Sequence, residues 1–220
     1  MNITHAVTEK VNCDKLEAIF NRQKELMSKY HDIELRSGLM QTEDCPVNLD
    51  DKKGQARIKD FSWRITEEVG EALDAHFHED GELAQTHFVE EMIDGLHFLT
   101  EMTILSGWDD KNFDNEDIFE DKMDKLEYLV KNNQKKENDK LETIVCELVN
   151  NLGMMCNCLK NKPWKQTQMK TNRENFYTHL RLVWNTYFKL LTFYDYDADF
   201  ICDIYLKKSQ VNKFRQRSNY

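Results

Sequence analysis

Two prolines and seven glycines are the only strong helix breakers in 220 residues. Proline removes a helical hydrogen bond and glycine carries the largest entropic cost of ordering, so a chain nearly free of both suits long helices. Glu, Lys, Leu and Asn dominate the rest, which favours the same outcome over a turn-rich β architecture. The expected fold class is all-α, a helical bundle. With no long Gly/Pro/Ser-rich stretch to divide it, residues 1–220 read as a single domain.

Apolar periodicity places the elements. Leu16, Ile19, Phe20, Gln23, Leu26, Met27 and Tyr30 recur at three-to-four spacing and mark a first amphipathic helix. The pattern breaks over residues 37–56, with Gly38, Pro46, Asp50 and Gly54 as turn formers, and resumes at Ile58, Phe61, Ile65, Val69 and Ala72. His78-Glu79-Asp80-Gly81 reads as a tight connection, with Gly81 able to supply a left-handed cap. A third helix through Phe88, Met92, Leu96, Leu99 and Met102 should then lie antiparallel to the second and stop at Gly107. Residues 109–124 are strongly acidic and read as peripheral, with Phe113, Ile118 and Phe119 their only core candidates. A short helix at 126–130, a polar linker at 131–140 and a helix over 141–159 follow, broken at 161–163. Thr171-Asn172-Arg173-Glu174 resembles a capping box opening the next helix, and a last helix begins near Ala198.

A formal net charge of −10 argues against nucleic-acid binding, which relies on clustered cations. The charge is uneven: Lys207, Lys208, Lys213, Arg215 and Arg217 make segment 205–220 +5, leaving −15 on the rest. No apolar run is long enough to span a bilayer, and residues 1–10 lack an apolar targeting core, so a soluble protein without a membrane partner is expected. The six cysteines include no CxxC pair and several fall within apolar helical patterns, which fits reduced thiols in the cytoplasm.

The chemistry is carried by Glu67-Glu68-Val69-Gly70-Glu71 on the second helix and Glu90-Glu91-Met92-Ile93-Asp94 on the third. Residues three apart share a helix face, so Glu68 pairs with Glu71 and Glu91 with Asp94. Either pair alone is ordinary solvated surface. Glu68, however, follows the stripe of Phe61, Ile65 and Ala72, and Glu91 that of Phe88, Gly95 and Phe98, so the acids adjoin the core. Four carboxylates brought together between antiparallel helices would repel unless a cation neutralised them. Oxygen-only ligands favour Mg²⁺, with Mn²⁺ able to substitute, and the implied chemistry is phosphoryl transfer.

Glu-Glu-x-x-Glu followed by Glu-x-x-Asp resembles the metal signature of the all-alpha nucleoside triphosphate pyrophosphatases, the superfamily of MazG and the dimeric dUTPases. Asp94-Gly95-Leu96-His97-Phe98 is similar to the Asp-x-Leu-His-Phe continuation of the dimeric dUTPase branch, and residues 16–26, with Gln23, to its first motif. Tyr205, Lys208, Asn212, Arg215, Gln216 and Tyr220 match the branch's C-terminal spacing, with Asn219 where glycine is usual. Phage dCTP pyrophosphatases share the signature.

The resemblance implies a homodimer whose four-helix metal core holds Mg²⁺ on Glu68, Glu71, Glu91 and Asp94, with Glu68 and Glu71 catalytic. It further implies that Tyr205, Lys208, Asn212 and Arg215 grip the phosphates and that Gln23 approaches the base. Trp63 is a candidate wall of the nucleoside pocket; His97 either contacts the base or fills the core, and Phe98 either stacks on the base or packs. The reaction expected is hydrolysis of dUTP to dUMP and pyrophosphate, with dUDP accepted as well. Two alternatives stand beside it: a dCTP pyrophosphatase with or without dUTPase activity, and a MazG-like house-cleaning enzyme.

Other motifs point nowhere. His76-x-His78 diverges on a helix, Cys156-x-Cys158 is no better, and neither a phosphate-binding P-loop nor a Gly-x-Ser-x-Gly elbow is present. A ferritin-like di-iron site needs two Glu-x-x-His motifs, and the chain has none. A non-catalytic helical interaction module remains the reading from outside enzymology, and it leaves the convergent acids and the basic tail without a purpose.

Overall fold

In the computed structural model, which describes residues 3–114, 123–162 and 164–217, seven α-helices follow one another without a strand among the described residues. Ile118, Phe119, Pro163, Asn219 and Tyr220, all invoked above, lie outside the described residues.

The helices are α1 (Lys15–Ser37), α2 (Lys52–His78), α3 (Gly81–Leu105), α4 (Lys125–Asn132), α5 (Leu141–Cys158), α6 (Arg173–Leu191) and α7 (Ala198–Arg217). Asp14 caps α1, its carboxylate accepting from the N–H groups of Leu16 and Glu17, and Gly38 closes the helix in the left-handed region at φ 70°. The second helix starts at Lys52, earlier than the apolar periodicity suggests, because Asp51 caps it on Lys53 and Gly54. Gly54 is therefore a helix residue, not a turn former. A Cβ there would stand 2.3 Å from the carbonyl oxygen of Asn48, so glycine is required by the close passage of the preceding loop.

Two residues, Glu79 and Asp80, join α2 to α3, and the two helices pack along their length as an antiparallel hairpin. Gly81 does take positive φ, 62°, but as the first residue of α3. A second hairpin is formed by α5 and α6. There the cap is Asn172, whose side chain accepts from Asn175 N–H, and not Thr171 as the sequence suggests. Thr171 is buried instead, donating to the Leu49 carbonyl and accepting from Gln55 Nε2, so it ties the α1–α2 loop to the α5–α6 loop.

One apolar cluster draws on all seven helices. Trp184 is its centre, fully buried, stacked on Phe20 and Phe188 and edge-on to Phe113, with its indole N–H donating to Thr103 Oγ1 at 2.9 Å. Phe113 thus serves the core, although the segment around it is acidic. Helix α3 is buried on most sides, and its core threonines stay satisfied by donating back to the carbonyls of Leu96 and Leu99. Against this central helix lie α1, α2, α6 and α7, and the last meets α1 as well.

Candidate metal and nucleotide site

The pairing of α2 with α3 gathers acids. Glu68, Glu91 and Asp94 each offer a carboxylate oxygen within 4.8 Å of the others, and no other group of His, Cys, Asp or Glu among the described residues is so placed. Gly95 makes the approach possible. A Cβ at that position would lie 3.2 Å from the Glu68 Cβ and 2.3 Å from the Tyr187 hydroxyl, which itself donates to the Met92 carbonyl. The hairpin can close on Glu68 only because α3 lacks a side chain there.

Glu71 is not part of this group. It is exposed and lines an open groove with Glu67, Asp74 and Glu90, a groove that the clustered Glu91 also reaches. A three-residue step turns a side chain about 60° around the helix, and on α2 that carries Glu71 toward solvent. Its charge still reaches the cluster, adding to the forces on Glu68.

Those forces are large. Burial, then repulsion from Asp94, Glu71 and Glu91, pushes the Glu68 carboxyl up to about 7. Burial likewise raises Glu91 and Asp94 above the usual carboxylate range, with Lys208 pulling both back. Lys208 places Nζ 2.6 Å from Asp94 Oδ2 and 3.5 Å from Glu90. Burial works against its ammonium, yet Asp94 and its neighbours outweigh that and raise its pKa. Hard oxygen donors, partly desolvated and mutually repelling, fit a divalent cation such as Mg²⁺.

The cluster opens on a cleft of about 360 Å³ between α1, α2, α3 and α7. Glu68 and Asp94 line it together with Gln23, His97 and Phe98, and Asn212 and Arg215 reach it from α7. Another cleft of about 370 Å³, around Met27, His31 and Cys45, shares Glu34 with this one but holds none of the clustered acids. Phe98 meets Phe61 edge-on, and the Arg64 guanidinium lies 5.6 and 5.7 Å from the two ring centroids.

His97 is 6% exposed, stacks on Tyr205 at 3.8 Å and donates from Nδ1 to Gln23 Oε1 at 2.8 Å. Burial, aided by Lys208, pushes its pKa down to about 3, so the ring is neutral. The Tyr205 hydroxyl also donates to Gln23 Oε1, at 2.8 Å, and its side chain is fully buried. Tyr205 is thus held behind Gln23 and His97 and is not among the residues that line the cleft.

Trp63 departs from expectation as well. It is 63% exposed on the outer face of α2, its indole bonded to Glu67, and it does not line the cleft. Conversely, Glu101 escaped the sequence reading. It lines the cleft, accepts from Gln23 Nε2 at 2.9 Å and has its carboxyl raised to about 7, chiefly by burial. The signal was available, since Glu101 lies one turn beyond His97 and two beyond Asp94 on the same face of α3.

A helical hairpin that gathers three carboxylates beside a cleft, with a cationic last helix against it, defines the class of all-helical nucleotide pyrophosphatases. A family model described as dUTPase matches residues 15–220, and the chain belongs to that family. It is accordingly a hydrolase of the nucleotide pyrophosphatase type. Neither curated proteins nor solved structures give a significant match.

Proposed function

We propose that the protein hydrolyses dUTP to dUMP and pyrophosphate, with dUDP also accepted, in a reaction that requires Mg²⁺ or, in its place, Mn²⁺. The observation that carries this reading is the shared cleft: Glu68 and Asp94, two of the three clustered carboxylates, line one volume with the Gln23–His97–Phe98 group. Glu68, Glu91 and Asp94 would hold the metal, with Glu71 joining from the rim. When bound, the ion would neutralise phosphate charge and acidify a water.

The chain's own residues supply the rest. Glu68, half-buried between α2 and α3, orients the attacking water and accepts its proton as the phosphoanhydride bond to the leaving pyrophosphate breaks. Lys208, Asn212 and Arg215, spaced along one side of α7, meet the phosphates, which explains a basic segment on an acidic protein. Tyr205 supports the base end through Gln23. Phe98 offers a ring face or edge to the pyrimidine.

The helices bounding the cleft, α1, α2, α3 and α7, make up the proposed four-helix metal core. The active form is proposed to be a homodimer, which would cover Trp63 and the exposed Phe77 of α2. Among the described residues no helix is long and apolar enough to cross a membrane. With all six cysteines free, the cytoplasm is the proposed location. A second reading, dCTP pyrophosphatase, is favoured by one observation: Glu101 puts an acceptor, suited to an amino group, where a base would lie.

The test is pyrophosphate release from dUTP, dCTP, dTTP, dATP, dGTP and UTP, with Mg²⁺ and with EDTA. Metal-dependent cleavage confined to dUTP, dCTP or both is expected. Cleavage of none would leave the helical interaction module as the better account, and broad cleavage would favour the MazG-like one.

A further inference from the structure

The amide of Gln23 is held at three points. Its oxygen accepts from His97 Nδ1 and from the Tyr205 hydroxyl, both at 2.8 Å, and its nitrogen donates to Glu101 Oε2 at 2.9 Å. An amide oxygen has no hydrogen to give, so Nδ1 carries the imidazole proton. In a neutral ring, Nε2 is then a bare acceptor. That atom is buried and has no hydrogen-bond partner among the described residues, while the ring lines the cleft. An unpaired buried acceptor costs free energy that a ligand N–H would recover.

The same side chains support one other complete network. A protonated Glu101 must donate, and the Gln23 amide is within reach. Turning that amide by 180° presents its oxygen to Glu101 and its two N–H groups to His97 Nδ1 and to the Tyr205 oxygen. The Tyr205 hydrogen turns to Thr100, whose side chain is its other hydrogen-bonding neighbour. Nδ1 now accepts, the ring proton moves to Nε2, and that buried, unpaired nitrogen becomes a donor.

We propose that Glu101 determines which pyrimidine this site takes: as a carboxylate it sets His97 Nε2 to accept from the 4-amino group of cytosine, and as an acid it sets Nε2 to donate to the 4-carbonyl of uracil. The inference rests on the nucleotide reading above and assigns its base specificity to a positioning residue. Glu101 acts through Gln23 and His97 and is itself only 12% exposed in its side chain. Both states lie within reach near neutrality, since burial, reinforced by Glu34, raises its carboxyl to about 7 against the pull of Gln23, Arg57 and Arg64. Glu34 of α1, Arg57 and Arg64 of α2 and Tyr205 of α7 are the charged and titratable groups around it, Arg57 lying 3.9 Å away.

The experiment is the ratio of kcat/KM for dCTP to that for dUTP, between about pH 6 and about pH 8 with Mg²⁺ saturating, in the wild type and in Glu101→Gln. Metal ligands and substrate phosphates titrate alike for both nucleotides and cancel in the ratio. The wild-type ratio is expected to rise about tenfold or more across the range. Glu101→Gln, which cannot titrate, is expected to give a flat ratio. Independently of turnover, nitrogen-15 shifts of the His97 ring should show the proton passing from Nε2 to Nδ1 as pH rises. Cleavage with a flat wild-type ratio, a slope that survives in Glu101→Gln, or a His97 tautomer that ignores pH would each overturn the proposal while leaving the pyrophosphatase reading in place. Cleavage of neither nucleotide would remove both.

Discussion

Lys208 sets its ammonium 2.6 Å from Asp94 Oδ2, so a residue of the basic last helix supplies positive charge to the carboxylate cluster of the central hairpin. The ion pair is mostly shielded from water and links α7 to α3. A metal ion at Asp94 would compete with that ammonium for the same oxygen. Lys208→Met is therefore expected to bind Mg²⁺ more tightly without nucleotide and to raise KM for the triphosphate. Calorimetric Mg²⁺ titration checks the first and steady-state kinetics the second; weaker Mg²⁺ binding in the variant would show that Lys208 supports the metal site and does not oppose it.

The grouping of three acids without Glu71 ranks the carboxylates. A bound metal contributes several kcal/mol of transition-state stabilisation, so losing a core ligand should cost on the order of 100-fold in turnover or more. Asp94→Asn is expected to lose that much, and Glu71→Gln to lose activity to a smaller degree, with both proteins folded by circular dichroism. Equal losses would place Glu71 in the metal shell despite its exposure.

Glu101 also reports through stability. Its folded pKa of about 7 exceeds the ordinary 4.5, so the folded state keeps a proton the unfolded chain gives up. Stability is then greatest below the unfolded value, falls as pH rises through the window up to about 7, and levels off above it, a change of roughly 3 kcal/mol at most. Glu68, raised for the same reasons, acts with the same sign. Glu25, held down to about 2 by Lys213 and Lys29, acts with the opposite sign and only in acid. Urea midpoints in EDTA should fall between about pH 5 and pH 7, and fall less in Glu101→Gln; equal slopes would mean that Glu101 titrates normally.

Asp14 and Asp124 begin different helices, yet each also accepts from the other's first helical N–H: Lys15 N–H to Asp124 at 2.7 Å and Lys125 N–H to Asp14 at 2.8 Å. Each carboxylate therefore serves two helix starts. Asp14→Ala should cost about 2 kcal/mol, the upper end for one cap, with turnover unchanged because neither residue lines the cleft. The two substitutions should be less than additive; simple additivity in a double-mutant cycle would mean that the caps act alone.

Helix positions, the α2–α3 hairpin and the acids on its facing stripes were legible because they depend on local spacing, which sequence displays directly. What was missed depends on distant partners. Gly54 read as a turn former because the passing Asn48 carbonyl is invisible to periodicity. Thr171 read as a cap because its bond to the Leu49 carbonyl spans the chain. The resemblance assigns Tyr205 to the phosphates, and only the fold shows its hydroxyl on Gln23. Glu101 was within reach of helical arithmetic, but a lone glutamate gives no sign of burial until α1 and α2 are set against it.

Two glycines in the hairpin separate what the site requires from what it tolerates. Gly70 on α2 has open space where its Cβ would be, so Gly70→Ala should relieve the entropic cost of a mid-helix glycine and stabilise by about 0.5–1 kcal/mol with turnover intact. Gly95 on α3 has no such space, with the Tyr187 hydroxyl at 2.3 Å and the Glu68 Cβ at 3.2 Å from an added methyl. Tyr187 is fully buried and cannot retreat without releasing the Met92 carbonyl, so the strain falls on the spacing between α2 and α3. Gly95→Ala should cost about 1–3 kcal/mol by overpacking, and widening the gap to Glu68 should weaken Mg²⁺ activation. Denaturation and Mg²⁺-dependence curves on the two variants decide it: a Gly95→Ala protein with normal metal response would show that the close approach of the helices is a packing detail and not a condition of the site.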